Sequence, residues 1–531
     1  MVTMKEGMSV CILFHSLSTS GSTASTQPCE VCENSSRRCR IALCILSCLV
    51  ALIALSLMTC ELLFDTIEGT IIAKKLVITE NSSSFQILTT DSNSTLQFYL
   101  FNLTNAEEWQ RNGTKPRLRT VGPYVYRRIT KKKDVRFSED RCDRRVLEYS
   151  LSTVYYFERN GSVGDPGQDR LLVPNFVERI ATSMISQAGS TTTQWLWILT
   201  PNPLLMNLTA EEIMWGHEYQ SLSMAKVFGM VKDTKIGLFN RLNNTLYGPY
   251  QINTGAHNIS KLGALVAFEG KINLDKWGSV YANMLNGSAD AVTPPSVKMG
   301  ARRYMFSSDL CRSVSFIAKK WVSASNYPRL KLLALEMEEK VFVSADEEPD
   351  NVAFHPKVYP TNQYPPTGLL SLSPCVDFGI AGDEPLFISL PYFNQAAVEV
   401  KEAVDFEGPT EPNLTSHLHI DPKTGILIEG ELVYQINVFL AKKIQKTTKD
   451  IYFPLVYVKD ITRAGRESAQ QLYQMAYEFP AVIHRTLQAL VGVFEILAVL
   501  LLIPVLILYR REYRHLRAQF EDECSEEKTL S

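Results

Sequence analysis

Two unbroken apolar runs stand near opposite ends of the chain, and the sequence between them alternates. The first, IALCILSCLVALIALSLMTC, covers Ile41–Cys60; the second, LQALVGVFEILAVLLLIPVLILY, covers Leu487–Tyr509. Each is long enough to cross hydrocarbon as a helix, which takes about 20 apolar residues. The second carries one carboxylate, Glu495, among sixteen Leu, Ile, Val and Phe residues. Each of these favours insertion by roughly 0.3–0.6 kcal/mol, against about 3 for one acid near the centre, so insertion prevails. Pro504 predicts a kink, which lipid-embedded helices tolerate. Arg37, Arg38 and Arg40 precede the first run, Glu61, Asp65 and Glu68 follow it, and Arg510, Arg511, Arg514 and Arg517 follow the second. Positive charge marks the cytosolic side. The expected plan is a cytoplasmic tail at 1–40, a transmembrane helix at 41–60, an ectodomain at 61–486, a second transmembrane helix at 487–509 and a cytoplasmic tail at 510–531. Reading Met8–Leu17 as the core of a cleaved signal peptide would put Arg37–Arg40 on the wrong side of the next span.

Residues 1–36 are rich in Ser and Thr without periodicity and read as a disordered tail. After the first span, FQILTT, LQFYLFNLT, VGPYVYRRIT and RVLEYSLSTVYYFERNGS have the β-branched and aromatic content of strands, with Asn or Gly turns between them. A helical interval follows. NFVERIATSMISQAG (Asn175–Gly189) spaces Phe176, Ile180, Met184 and Ala188 along one face, with Asn175 as N-cap. QWLWILTPNPLLMNLTAEEIMWGHEY continues it, broken at Pro201 and Pro203, and Thr209-Ala-Glu-Glu212 fits a capping box. Beyond Phe228, NTLYGPYQI, LGALVAFEG, FISLPYF, GILIEGELVYQINVFL and IYFPLVYVKD restore the strand texture to about Asp460; SAQQLYQMAYEFPAVIHRTL then leads helically into the second span. Long β-rich tracts with one helical insert make an α+β protein with a single large folding unit.

Composition adds little until it is mapped. The chain has 531 residues and a net charge of −2, so it lacks the basic bulk of a nucleic-acid binder. Ten Asn-x-Ser/Thr sequons lie between the spans, at Asn81, Asn93, Asn102, Asn112, Asn160, Asn207, Asn243, Asn258, Asn286 and Asn413. That density fits a glycosylated lumenal or extracellular domain. Of eleven cysteines only Cys142, Cys311 and Cys375 fall in the ectodomain; an odd number in an oxidising compartment suggests one disulfide and one cysteine left over. Cys39, Cys44 and Cys48, beside or within the first span, suit S-palmitoylation. Cys29-x-x-Cys32 has no second pair to complete a zinc site.

Candidate chemistry is thin. Arg127, Arg128, Lys131–Lys133, Arg136, Arg141, Arg144 and Arg145 form the main basic cluster, but Asp134, Glu139, Asp140 and Asp143 interleave, as on a solvated hairpin face. DFGIAG (Asp377–Gly382) superficially resembles a metal- or phosphate-binding loop, yet no Walker lysine or second phosphate loop accompanies it, and a turn is the better reading. His217-Glu218 lacks a second zincin histidine, and His417 and His419 alternate on one strand face without an evident third ligand. Nothing selects a glycosidase pair from Asp405, Glu407, Glu411 and the other carboxylates. Glu495 stands as a helix-packing group, a protonated acid or a contact to the other span. No catalytic residue, metal or cofactor is expected.

Several motifs are more specific. They are EGTIIAKK, VGPYVYR (Val121–Arg127), NNTLYGPYQINTGAHNISKLG (Asn243–Gly263), KWGSVYANMLNGSADAVTPP (Lys276–Pro295), FSSDLCRSV (Phe306–Val314), GLLSLSPC (Gly368–Cys375), PLFISLPYF (Pro385–Phe393) and HIDPKTGILIEG (His419–Gly430). On these the chain, from about Glu68 to Tyr509, resembles the CD36 family of class B scavenger receptors. The resemblance implies two transmembrane helices flanking one glycosylated ectodomain. That ectodomain would have an antiparallel β-barrel-like core, a helical bundle at the membrane-distal apex and an internal apolar tunnel toward the bilayer. Family members bind lipoproteins, microbial or other large ligands at the apex and pass fatty acids, cholesterol or cholesteryl esters through the tunnel. Residues 175–219 would form that apex, with Phe176, Ile180, Met184, Trp195, Trp197, Leu204 and Leu205 as apolar ligand contacts. From Leu171 to Ala225 the basic side chains are Arg179 and His217 alone, which favours apolar over anionic capture. The resemblance also implies the disulfide Cys311–Cys375, while other cysteines of the family pattern are missing here, including one near Ala282.

The expected function is therefore a non-enzymatic lipid receptor. A lysosomal or endosomal receptor of the same family is the first alternative. A two-span ecto-enzyme is the second; it would need the missing phosphate loops. A two-span ion channel is the third, and its ectodomain would need more disulfides. Tyr513-Arg-His-Leu516 fits a tyrosine-based sorting signal and no acidic dileucine is found, so the plasma membrane with cycling through endosomes or lysosomes is the expected location. Lipids and the membrane are the expected partners, nucleic acid is not, and a homo-oligomer stays open.

Overall fold

The computed structural model describes residues 30–139, 145–177, 203–227, 233–354, 364–372, 375, 386–408, 410–411, 414–442 and 449–529. It divides into two units, Met1–Glu68 with Tyr477–Ser531, and Gly69–Ala476.

The first unit is a pair of helices. Glu30–Leu62 packs along Phe479–Thr529. Ser47 and Ala54, seven residues apart and so on one face, are buried, as is Val491 on the partner. Phe64 and His484 stack with ring centroids 4.4 Å apart. Elsewhere the apolar side chains are exposed, among them Leu52, Leu55, Leu62, Ile496, Val499 and Leu500. Both helices are long and apolar enough to cross a membrane. Pro504 lies inside the second helix, which runs unbroken to Thr529. Glu495 is exposed on it and has no hydrogen bond or ion pair among the described residues. The expectation of a disordered 1–36 is corrected for its last residues, since the first helix already begins at Glu30; residues 1–29 lie outside the described set. Cys44 and Cys48 are free and exposed.

The second unit is built on one large sheet. Its strands are β1 (Ser92–Leu103), β2 (Arg117–Glu139), β3 (Arg145–Glu158), β8 (Thr245–Asn253), β9 (Leu265–Phe268), β10 (Arg302–Ser307), β11 (Arg312–Ser323), β12 (Lys331–Met337), β16 (His417–Ile420), β17 (Leu427–Leu440) and β18 (Ile451–Arg463). They follow in the order β10-β11-β12-β16-β17-β18-β1-β2-β3-β8-β9, and every pairing along that path is antiparallel. Shorter strands β13 (Leu370–Ser371), β14 (Leu386–Ser389) and β15 (Asp405–Glu407) join from the side, while β4 (Arg170–Pro174) pairs β5 (Leu205–Thr209) and β6 (His217–Glu218) pairs β7 (Lys235–Ile236).

The open edges β9 and β10 are joined through one segment. Ser288 bridges both Ala264 and Met305. Leu265 N donates to Gly287 O at 2.8 Å, Ser288 N to Tyr304 O at 3.1 Å and Phe306 N to Ser288 O at 2.9 Å. Phe268 packs on Phe306 across the same seam, 5.3 Å between centroids. The sheet is thus a nearly closed barrel with its exposed edges satisfied.

Two local expectations fail for identifiable reasons. FQILTT is a helix, Ser83–Thr89, not a strand. Ser82 caps it by accepting from Phe85 N at 3.1 Å, and the helix buries Ser84 and Leu88, one turn apart. Capping and tertiary burial override the β-branched composition. Leu205–Thr209, read as helical, is a strand because Arg170–Pro174 offers it a full ladder, Arg170 opposite Thr209 through Pro174 opposite Leu205. The capping box at Thr209 and Glu212 is present, as is the helical approach to the second span over Arg466–Tyr473.

The β10–β11 turn is pinned at Cys311. A disulfide joins Cys311 to Cys375, with Cα atoms 5.6 Å apart, and Trp277 Nε1 donates to Cys311 O at 2.7 Å. Cys142 lies outside the described residues. Replacing Cys311 and Cys375 by Ser should lower stability by about 2–4 kcal/mol and abolish the mobility difference between reduced and non-reduced protein in gels. Gly287→Ala should be worse: its φ is +77° and the added Cβ would fall 1.8 Å from Tyr304 O. The expected outcome is retention in the endoplasmic reticulum, read as glycans that stay sensitive to endoglycosidase H.

Candidate functional site

Strand alternation sorts the side chains of the sheet into two faces. Leu96 of β1 lies opposite Tyr126 of β2 and Asp460 of β18. Arg128 lies opposite Tyr155 of β3, and Tyr126 opposite Phe157. Leu432 of β17 lies opposite Asp460, and Tyr434 opposite Val458. These residues share one face. The other face carries Tyr99, Phe101, Tyr457 and Gln435 and is covered by Tyr392 and Phe406, with Tyr99 and Tyr457 stacked at 4.4 Å.

The first face is the interior of the barrel. At one end an aromatic group fills it: Phe98, Tyr126, Tyr155, Trp215 and Phe239 meet with centroids 5.0–6.3 Å apart. Two residues along β2, Arg128 gives Nη1 to Asp460 Oδ2 at 2.8 Å and Nη2 to Asp460 Oδ1 at 3.1 Å. Four residues further, about 13 Å at strand rise, Lys132 pairs with Asp290 at 2.7 Å, and the Tyr149 hydroxyl donates to the same carboxylate at 3.0 Å.

Asp309 lies on the pinned β10–β11 turn. Burial pushes its carboxyl above the usual range, Arg128 pulls the other way and Asp460 adds to the rise. For Arg128, burial works against the charge, but Asp460, Tyr155, Tyr434 and Asp309 outweigh it and hold the proton. The phenols of Tyr155, Tyr250 and Tyr434 are pushed up chiefly by burial, and each feels Asp309; Tyr247 is pushed up to about 12 in the same way. The groups whose charges act on one another here come from β2, β3, β8, β17, β18 and the β10–β11 turn. Yet Asp309 is exposed, Tyr155, Tyr434 and Arg128 keep part of their surface free, and Leu432 is 39% exposed.

Other candidates resolve differently. The basic cluster splits by face: Arg127 pairs with Glu158 and Lys131 with Asp91 on half-exposed surface, whereas Arg128 and Lys132 point inward; Arg141 and Arg144 lie outside the described residues. Phe176 is fully buried in the same hydrophobic core as Val173, Leu208 and Ile213, and Leu204 and Leu205 are half-buried. Ile180, Met184, Trp195, Trp197 and DFGIAG at 377–382 lie outside the described residues. His217 Nδ1 sits 2.9 Å from Glu212 Oε1. His417 and His419 stack at 4.8 Å, and His419 Nδ1 is 3.2 Å from Glu429 Oε2. No group of three metal-ligating side chains occurs among the described residues. Glu407 accepts from Thr104 Oγ1 at 2.5 Å and Glu411 pairs with Lys459. Of the sequon asparagines, Asn81, Asn93, Asn112, Asn160, Asn207, Asn243 and Asn258 are exposed; Asn102 and Asn286 are half-buried, and Asn413 is outside the described set.

Comparison with known proteins agrees with this architecture. The family model described as the CD36 family matches residues 45–507. Lysosome membrane protein 2 of Rattus norvegicus is 28% identical over 395 residues, 71% of this chain and 76% of the relative. The Homo sapiens protein of that name is 28% identical over 397 residues, 71% and 77% of the two chains. Scavenger receptor class B member 1 of Bos taurus is 26% identical over 428 residues, 77% and 78%. This chain belongs to the CD36 family.

Proposed function

We propose that the chain is a membrane receptor that takes lipid from large extracellular or lumenal ligands and passes it through the barrel interior to the bilayer. Both tails face the cytosol, the segment between the two apolar helices is glycosylated, and the plasma membrane with endosomal cycling is the working location. The names of the relatives, a scavenger receptor and a lysosome membrane protein, support a receptor at one of these membranes.

The observation that carries the transfer role is the enclosed face on which Tyr155, Tyr434, Leu432 and Asp309 keep free surface. Its physical value is large. Exposing a sixteen-carbon chain to water costs about 0.8 kcal/mol per methylene, roughly 13 kcal/mol in all. A lined passage removes most of that barrier by geometry alone and requires no nucleophile.

A bulky side chain in the barrel interior should stop transfer. Leu432→Trp, with surface expression matched to the parent, should reduce uptake of a fluorescent cholesteryl ester to the level of untransfected cells while binding of the donor particle persists. Undiminished uptake would contradict the route. Epitope tags at both termini should stain only after permeabilisation; staining of intact cells at either end would contradict the topology.

A further inference from the structure

Beside the disulfide a buried guanidinium stands without an acceptor. Arg312 follows Cys311 at the start of β11 and is only 6% exposed. Its guanidinium carbon lies 3.6 Å from the ring centroid of Phe354, at the end of the helical turn Pro349–Phe354. Trp277 meets the same ring nearly at right angles, 5.5 Å between centroids. A ring face attracts the cation but gives its N–H groups no oxygen to bond. Nε and Nη1 are buried without a hydrogen bond among the described residues. Burial pulls the guanidinium down to about 10, with Tyr281 acting the other way, so it stays charged at neutral pH. Arg128, by contrast, gives both terminal nitrogens to Asp460.

Arg312 lines a cavity of about 60 Å³. One water needs roughly 10–15 Å³ of such space, so a head group of about four or five heavy atoms fits and a chain does not. Tyr281, Met284 and Tyr304 line the same cavity and are 55%, 43% and 41% exposed, which makes its rim apolar. Two carboxylates also line it, and both are engaged. Asp350 pairs with Lys340 at 3.7 Å, and Glu348 Oε1 accepts from Asp350 N at 3.4 Å. Neither forms an ion pair with Arg312 among the described residues.

We propose that Arg312 anchors a binding site for a singly charged oxyanion, a carboxylate or a sulfo group, carried on an apolar body that rests on Tyr281, Met284 and Tyr304. The evidence for it is independent of the transfer role proposed above. Guanidinium N–H groups match the paired oxygens of such an anion, and burial strengthens the contact. The carboxylates set the limit: with Glu348 and Asp350 against Arg312 and Lys340, the cavity holds too little positive charge for a dianion. The rival occupant is Glu348 itself, whose half-buried side chain would close the site by turning to Arg312.

The test uses the full-length chain in nanodiscs of zwitterionic lipid, with empty nanodiscs as the blank. Fluorine relaxation follows the binding of 4-fluorobenzenesulfonate, 4-fluorobenzoate, 4-fluorobenzyl alcohol and 4-fluorophenyl phosphate. The sulfonate and the benzoate should bind about tenfold tighter than the alcohol and the phosphate, the effect of one charge-assisted hydrogen bond. Arg312→Gln should bring both anions to the level of the alcohol. At the exposed rim, Met284→Glu should weaken both anions about threefold and Met284→Lys strengthen them as much, the size of a solvent-screened charge contact. The rim pair keeps the proposal falsifiable if Arg312→Gln does not fold. Equal binding of all four probes, no binding of either anion, or anion binding that ignores these substitutions would each overturn the site. Anion binding that appears only in Glu348→Gln would overturn it too, because Arg312 would then already hold Glu348 in the parent.

Discussion

Closure of the sheet at Ser288 is the constraint from which the rest follows. A strand edge offers unpaired backbone groups to solvent or to another chain. Here both edges are answered by one short segment, whose residue 287 must be glycine because Tyr304 O occupies the place a side chain would take. Once the edges meet, much of the inward face is shielded by the barrel wall, and the polar groups buried there need partners within the barrel. The Arg128–Asp460 and Lys132–Asp290 pairs answer that demand.

The same enclosure explains why Asp309 stands out. Paired charges inside a protein roughly cancel their own desolvation, whereas an unpaired one keeps its cost unless something it meets recovers it. Two covalent or hydrogen-bonded anchors at Cys311 hold the turn that carries it. That cost is what pushes the Asp309 carboxyl above its usual range.

Much of this was legible in the sequence. The two spans follow from apolar length and flanking arginines, the strands from their alternation, and the family from motifs such as FSSDLCRSV. The interior polar pairs were not. Arg127 and Arg128 are adjacent letters in one basic run, and only a register that places Arg128 opposite Tyr155, on the inward face, separates a surface ion pair from an interior one. Asp460 is remote in sequence from Arg128 and carries no local signal of its partner. FQILTT shows the converse: its composition reads as strand, and the Ser82 cap with burial of Leu88 decides for helix. The strand at Leu205–Thr209 was hidden because its partner lies upstream at Arg170–Pro174.

The central claim is that the closed barrel of this chain holds an internal passage able to carry lipid. Native mass spectrometry of the intact protein, released from mild detergent after enzymatic deglycosylation, tests it most directly. The account predicts a population heavier than the bare polypeptide by the mass of one or more lipids, recoverable by organic extraction. A spectrum of bare polypeptide alone, unchanged after incubation with excess sterol or sterol ester, would contradict it.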